Sequence, residues 1–171
     1  DDEAKLWLEG VTETMYTAFN RSNFQQEIFE LYHDLITFGT AAMFIEEDQS
    51  DLLKFSTRHI NEIYVTENDK GRIDTVYRKF KITLRAAAQQ FGGGLSEEAK
   101  RRVDKDPFDE IDILHAVYPR QDFNPAKKDK QNMEFESVYV EYKNGNELSV
   151  GGFVEFPFVV PRYLKASHEI Y

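Results

Sequence analysis

The sequence contains no cysteine, and no apolar run in it approaches the roughly 20 residues that a membrane-spanning helix needs. Without cysteine, disulfide frameworks, thiolate metal sites, iron–sulfur clusters and cysteine nucleophiles are excluded. The charged start Asp1-Asp2-Glu3 does not resemble a signal peptide. We therefore expect a soluble chain that does not enter a membrane.

Basic residues are outnumbered by acidic ones. Lys and Arg total 21 against 31 for Asp and Glu, which gives a net charge of -10. Binding to DNA, RNA or anionic lipid depends on cations that replace counterions, so an acidic balance opposes nonspecific binding to any of them. A protein that reads a DNA groove is disfavoured.

The sequence does contain many apolar and aromatic residues. Its 171 residues are 41% apolar and include 14 Phe and 9 Tyr, which argues against disorder. A chain of this length can bury roughly 70% of its unfolded surface. We expect a single α+β domain over residues 1–171.

The first 38 residues show helical periodicity. Apolar residues recur at spacings of three and four over residues 2–20, and again after Ser22, where Gln25 stands in position for a capping box. Gly39 follows the last periodic residue, where a left-handed C-cap belongs. The pattern predicts a helical hairpin over residues 2–38, with a hinge at 20–22. The apolar positions are Leu8, Val11, Met15 and Ala18 in the first helix and Phe24, Ile28, Leu31, Leu35 and Phe38 in the second.

Residues 40–165 are predicted to be rich in β-structure. Short apolar and alternating runs are separated by turn signals, of which Asn144-Gly145 is the strongest. A short helical insert follows Thr83, and Ser96 opens its second helix. The predicted fold is therefore an N-terminal helical hairpin packed on a largely antiparallel β-sheet or a partly open barrel. The predicted strands are 42–46, 52–57, 63–66, 72–83, 111–119, 138–142, 147–154 and 158–160.

Three features could carry chemistry, and each has a simpler explanation. Four acidic residues near a turn could hold a hard cation, but a solvated turn explains them better. The loop at 92–94 follows a helix rather than a strand, so it fits a helix cap better than a phosphate cradle. The histidines are dispersed, and a core role suits His115 better than a general base. We assign no catalytic, metal or cofactor-binding residue. The acidic residues are Glu46, Glu47, Asp48 and Asp51, and the other histidines are His33, His59 and His168.

Several segments, in a shared order across nearly the whole chain, resemble the head-to-tail connecting, or portal, proteins of short-tailed T7-like bacteriophages. They are SNF at 22–24, LITFGTAA at 35–42, DTVYRKF at 74–80, HAVYPR at 115–120 and EFPFVVPRY at 155–163.

The resemblance implies a structural ring, usually of about twelve copies related by heterologous contacts, at one capsid vertex. Such a ring is the conduit for genome packaging and ejection. DNA would pass without specific binding, and the implied partners are other portal subunits, the capsid, the scaffold and the packaging motor or tail. The resemblance implies no enzyme and no cofactor. The protein would be made in the cytoplasm of a bacterial host, or encoded by a prophage, and would end in the virion.

Family members are several times longer than this chain, so we expect a wing-region fragment that alone is monomeric or weakly associating. Apolar residues that stand in or next to the polar stretch 121–132 are candidates for subunit contacts, because a loop has little structural use for them. They are Phe123 and Met133. Packing of either residue against its own domain is an equally good explanation.

Two other functions stay open on the sequence. A hydrolase or metal-dependent enzyme built on carboxylates would show convergent carboxylates with perturbed pKa values. A free-standing peptide-binding module would offer a sheet edge. An assembly subunit would instead show exposed apolar patches.

Overall fold

The computed structural model describes residues 2–127 and 129–163 of the chain. In chain order the helices are α1 (Asp2–Arg21), α2 (Phe24–Phe38), α3 (Leu84–Phe91) and α4 (Glu97–Lys105). The strands are β1 (Ala42–Asp48), β2 (Leu52–Arg58), β3 (Ile63–Glu67), β4 (Ile73–Thr83), β5 (Glu110–Pro119), β6 (Phe135–Glu141), β7 (Glu147–Phe153) and β8 (Phe158–Val159).

The N-terminal helices and two antiparallel sheets confirm the predicted α+β class, and the described strands do not close into a barrel. The described chain divides into two compact units, with boundaries at Asn61 and at Phe156. The first unit contains residues 2–61 and 157–163, and the second contains the residues between them. Within the described residues, no helix combines the length and the apolar character needed to cross a bilayer.

The first unit is built on a three-stranded sheet of order β2-β1-β8. Its core includes Leu31, Ala41, Met43 and Phe55. Phe24, Ile28 and Leu35 pack against that core, so the predicted inner face of α2 is confirmed. The side chains recur at three and four residues, which places them on one stripe of the helix.

The sequence predicted the C-terminal end of α2 correctly and its N-terminal end incorrectly. The Gly39 C-cap is confirmed, because its φ is 74° and its N–H donates to the Leu35 carbonyl at 2.9 Å. The predicted capping box is wrong, since Asn23 is the N-cap residue and makes no side-chain cap bond. Ser22 lies in the short joint between the helices, where its hydroxyl donates to the Phe19 carbonyl at 2.8 Å and accepts from the Phe24 N–H at 3.2 Å. The Gln25 side chain turns back to Asn20 at 3.4 Å.

The second unit is a five-stranded antiparallel sheet of order β3-β4-β5-β6-β7. Its core includes Phe80, Ile111 and Ile113 of the sheet, to which α3 contributes Leu84 and Ala87 and α4 contributes Ala99. The predicted Ser96 cap is confirmed, because its hydroxyl accepts from a backbone N–H in the first turn of α4. The Thr83 hydroxyl caps α3 in the same way. The β6–β7 turn contains Gly145 at a φ of 70°, as the Asn-Gly pair predicted.

Candidate assembly surface

Helix α1 is the most exposed element of the described chain. None of its 20 residues is buried, and residues 2–10 are all exposed. The predicted apolar stripe is present, but Leu8 and Met15 face solvent and only Val11 and Ala18 are half-buried. The large apolar side chains that α1 exposes are Leu6, Trp7, Leu8, Met15 and Tyr16.

The C-terminal end of α1 is attached to the first unit by an aromatic cluster. The Phe19 ring stacks on Phe24 at a centroid distance of 4.6 Å and meets the edge of Phe55 at 6.1 Å. Arg21 lies near the Ser50 carbonyl at 3.5 Å. Anchoring at this end leaves the preceding turns of α1 projecting with their apolar residues uncovered.

Helix α2 has a buried face and an apolar exposed face. Leu31 is only 5% exposed, whereas Phe29 is 75% and Ile36 is 85% exposed. Tyr32, also exposed, lies between them at helical spacing, so the three form a second apolar stripe. Monomeric soluble proteins seldom expose contiguous apolar surface of this kind, which more often marks an interaction site.

A groove of 330 Å³ opens beside this stripe in the first unit. It is lined by Phe29, Glu30, His33, Asp34, Thr57 and His59. The Asp34 side chain is only 15% exposed, and His33 lies 3.6 Å from its carboxylate. The groove therefore combines an exposed aromatic ring with a largely buried acceptor.

The outer edge of β2 is occupied by side chains from the start of α2. The Asn23 amide donates to the Phe55 carbonyl at 2.8 Å and accepts from the Phe55 N–H at 2.9 Å. Glu27 accepts from the Thr57 N–H, and the Thr57 hydroxyl donates to the Glu27 carbonyl at 2.8 Å. These groups replace a neighbouring strand, so this edge cannot receive a peptide without displacing them.

The two residues predicted as subunit contacts have different surroundings. Phe123 is 39% exposed, and Met133 is half-buried. The Met133 Cβ lies 3.0 Å from the point where a Cβ on Gly152 would be, so Met133 packs closely against β7 of its own unit. Their role in subunit contacts stays a prediction.

The acidic residues at the β1–β2 turn serve local structure. Asp48 accepts from the backbone N–H groups of Ser50 and Asp51 at 2.8 and 2.9 Å. The hydroxyl of Ser50 and these backbone donors hold the pKa of Asp48 below its usual value. Glu46 pairs with Lys54 at 3.1 Å. Among the described residues, no three His, Asp or Glu side chains group as metal ligands.

His115 occupies the core position that its alternation indicated. It is buried, its Nε2 lies 2.9 Å from the Ser137 hydroxyl, and its ring stacks on Tyr139 at 3.8 Å. His33 and His59 line the groove, and His168 lies outside the described residues.

The glycine loop caps a helix, as its position predicted. The Gly92 N–H donates to the Ala88 carbonyl. Gly94 has a different role, because a Cβ there would lie 2.2 Å from the Leu148 carbonyl oxygen. The loop is packed against β7, which spacing along the chain does not reveal.

Sequence reasoning missed Glu141, a buried carboxylate at the end of β6. It accepts from the N–H and the hydroxyl of Ser96, both at 2.8 Å, and from the Asn144 amide at 2.7 Å. These bonds join the start of α4 to the β6–β7 hairpin. Because Ser96 and Glu141 are 45 positions apart, no local signal could have paired them.

The carboxylates with shifted pKa values do not converge on a site. The pKa is lowered at each of them by hydrogen bonds from neighbouring groups, and none lines the groove. A general acid at neutral pH needs a raised pKa instead. These carboxylates are Asp48, Glu97, Asp109 and Asp129.

Comparison with known proteins shows which proteins the chain is similar to. A portal protein of Salmonella phage epsilon15 is 32% identical to this chain over an alignment 171 positions long, which covers 98% of this chain and 31% of the phage protein. A probable portal protein of Bordetella phage BPP-1 is 29% identical over the same length, with the same coverage. The chain thus spans less than a third of either relative. The family model for the bacteriophage head to tail connecting protein matches residues 1–171. Because that match runs through every residue, the chain belongs to the bacteriophage head to tail connecting protein family.

Proposed function

We propose that this chain is part of a subunit of a phage portal ring, the conduit through which DNA is packaged and ejected. The observation that carries the proposal is the family match over all 171 residues, together with similarity to two phage proteins named as portals. The exposed apolar faces of α1 and α2 support it, since a ring subunit has surfaces that its neighbours cover.

The proposed role is structural, and no step in it needs catalysis. About twelve copies would close a ring through heterologous contacts, in which different surfaces of the subunit meet. Capsid, scaffold and the packaging motor or tail would bind other parts of the longer protein. The ring would occupy one capsid vertex of the virion after synthesis in a bacterial host, from a phage or a prophage.

The acidic character of the chain suits a conduit. With a net charge of -10, the chain offers few cations to hold phosphates, so DNA would slide past without specific binding. The proposal places no membrane among the partners. Phe123 stays a proposed subunit contact because its ring is exposed, and Met133 is a weaker one because it packs on its own unit.

Electron microscopy of a protein of the relatives' length that carries this chain tests the proposal. We expect closed rings with a central channel and about twelve copies related by one rotation axis. Single subunits at every concentration, or dimers with two-fold symmetry, would contradict it.

A further inference from the structure

Residues 2–10 of helix α1 are all exposed, so this part of the helix gains little stability from packing within the described chain. An isolated helix shorter than about 15 residues is marginal in water, and most helical stability in proteins comes from packing of an apolar face. Only the last turns of α1 contact the aromatic cluster, and Gly10 further weakens the uncovered part. Trp7 lies twelve residues before Phe19, so it projects about 18 Å from that anchor.

Trp7 is the only tryptophan in the chain and is 66% exposed. Tryptophan combines a large apolar ring with one N–H donor, and residues of this kind often dominate the energy of protein interfaces. A site that receives it needs an apolar wall and an acceptor.

The groove beside α2 offers both features. The Phe29 ring supplies the wall, and the largely buried carboxylate of Asp34 supplies an acceptor close to it. The Asp34 carboxylate is not fully buried, and His33 at 3.6 Å is too far for a strong hydrogen bond, so its oxygens can accept from an incoming donor. The volume of 330 Å³ is at the low end of the roughly 300 to 1,000 Å³ of ligand clefts, which suits one aromatic side chain.

Trp7 and the groove belong to the same unit, yet neither covers the other. Both Trp7 and Phe29 are mostly exposed, so the Trp7 of one molecule does not fill its own groove. We propose that Trp7 of one copy of the chain inserts into the groove of a second copy, with its ring on Phe29 and its indole N–H directed to Asp34.

This contact joins two different surfaces and so propagates head to tail, as a closed ring requires. The inference rests on the proposed function, because a portal subunit always has further copies beside it. It adds to that function a specific lateral contact within the first unit.

Disulfide trapping tests the contact, because residues 1–171 contain no cysteine. The test uses the full-length protein that carries this chain, with any cysteine outside these residues changed to serine. Gly10→Cys places a thiol three residues after Trp7 on the same side of α1, where an added Cβ meets nothing within 4 Å. Glu30→Cys places the other thiol at the rim of the groove.

We expect a ladder of cross-linked subunits on a denaturing gel only when both cysteines are present. The matched control pairs Gly10→Cys with Lys54→Cys, an exposed position on β2 that faces away from Thr57 and the groove. Trp7→Ala should weaken subunit association about 30-fold, the loss typical of truncating an aromatic hot spot. Lys54→Ala, exposed on β2 but outside the groove and the apolar stripe of α2, should leave association unchanged.

The outcomes separate this inference from the proposed function. Rings in the microscope without a ladder from the Gly10 and Glu30 pair would overturn the inference alone. A cross-linked monomer without a ladder would also overturn it, because the groove would then receive α1 of the same chain. An equal ladder from the Lys54 control would show that the cross-linking is not specific. Failure of the proposed function is recognised by the absence of rings.

Discussion

At the scale of single residues, the tightest constraint is the contact between Gly94 and β7. A methyl group on Gly94 would lie 2.2 Å from the Leu148 carbonyl oxygen, which is backbone and cannot rotate away. Replacing Gly94 with Ala should lower the free energy of unfolding by about 1 to 3 kcal/mol, as overpacking does.

The adjacent Gly93 provides the control for this substitution, because nothing lies within 4 Å of an added Cβ there. Urea denaturation of both variants measures the difference. A Gly94→Ala protein as stable as Gly93→Ala would mean that the loop does not lie against Leu148.

A second prediction at this scale concerns Asp109 and the acid stability of the second unit. The Arg102 guanidinium donates to Asp109 and holds the pKa of that carboxyl below its usual value. A lowered pKa means that the stabilisation is present above the ordinary pKa and is lost as the pH falls below about 4.

NMR titration of Asp109 in the native protein and in Arg102→Gln checks this. The substitution should raise the pKa of Asp109 toward its ordinary value, although the N–H of Glu110 still donates to it. An unchanged titration curve would show that Arg102 does not stabilise the carboxylate.

At the scale of secondary-structure elements, the two faces of α2 should differ sharply in their sensitivity to truncation. Leu31 lies in the core of the first unit, and Leu31→Ala should cost about 2 to 5 kcal/mol through lost burial and a cavity. Ile36 is exposed on the opposite side, and Ile36→Ala should cost less than about 0.5 kcal/mol. Equal midpoints in denaturant for the two variants would contradict the placement of α2.

The edge of β2 gives another prediction about an element. Asn23→Ala removes the donor and the acceptor that satisfy Phe55, and the backbone groups left unpaired should cost about 1 to 3 kcal/mol. Asn20→Ala, an exposed change in the last turn of α1, serves as the control. Thermal unfolding of both variants gives the comparison, and similar melting temperatures would mean that the edge does not depend on Asn23.

Local signals predicted α2 well because they act within a few residues. The periodicity of Ile28, Leu31 and Leu35 and the position of Gly39 fix a helix, its inner face and its end. The capping box is absent because the Gln25 side chain turns back to Asn20, and Asn23 at the start of the helix pairs with Phe55, 32 positions away, which no local signal reveals.

Less of the candidate assembly surface could be predicted from the sequence. The pattern in α1 predicted a helix and an apolar stripe, but amphipathic spacing does not say what covers the stripe. Phe29 and Ile36 lie at helical spacing on another face of α2, but that spacing does not say whether another element covers them. The groove depends on contacts between α2 and β2, and these exist only in the folded chain.

At the scale of the whole molecule, the chain combines family membership with apolar surface that its described residues leave uncovered. The exposed stripe on α1 and the groove beside α2 suit a subunit whose neighbours complete its packing. The family match runs through the whole chain, whereas the chain spans only 31% of its relatives, so the proposed assembly concerns the longer protein.

The mass of that longer protein in solution decides whether the chain belongs to a ring subunit. Light scattering after size separation should give one species of about twelve subunit masses, unchanged on dilution, because a closed ring has no free ends. A single subunit mass at every concentration would contradict the portal proposal.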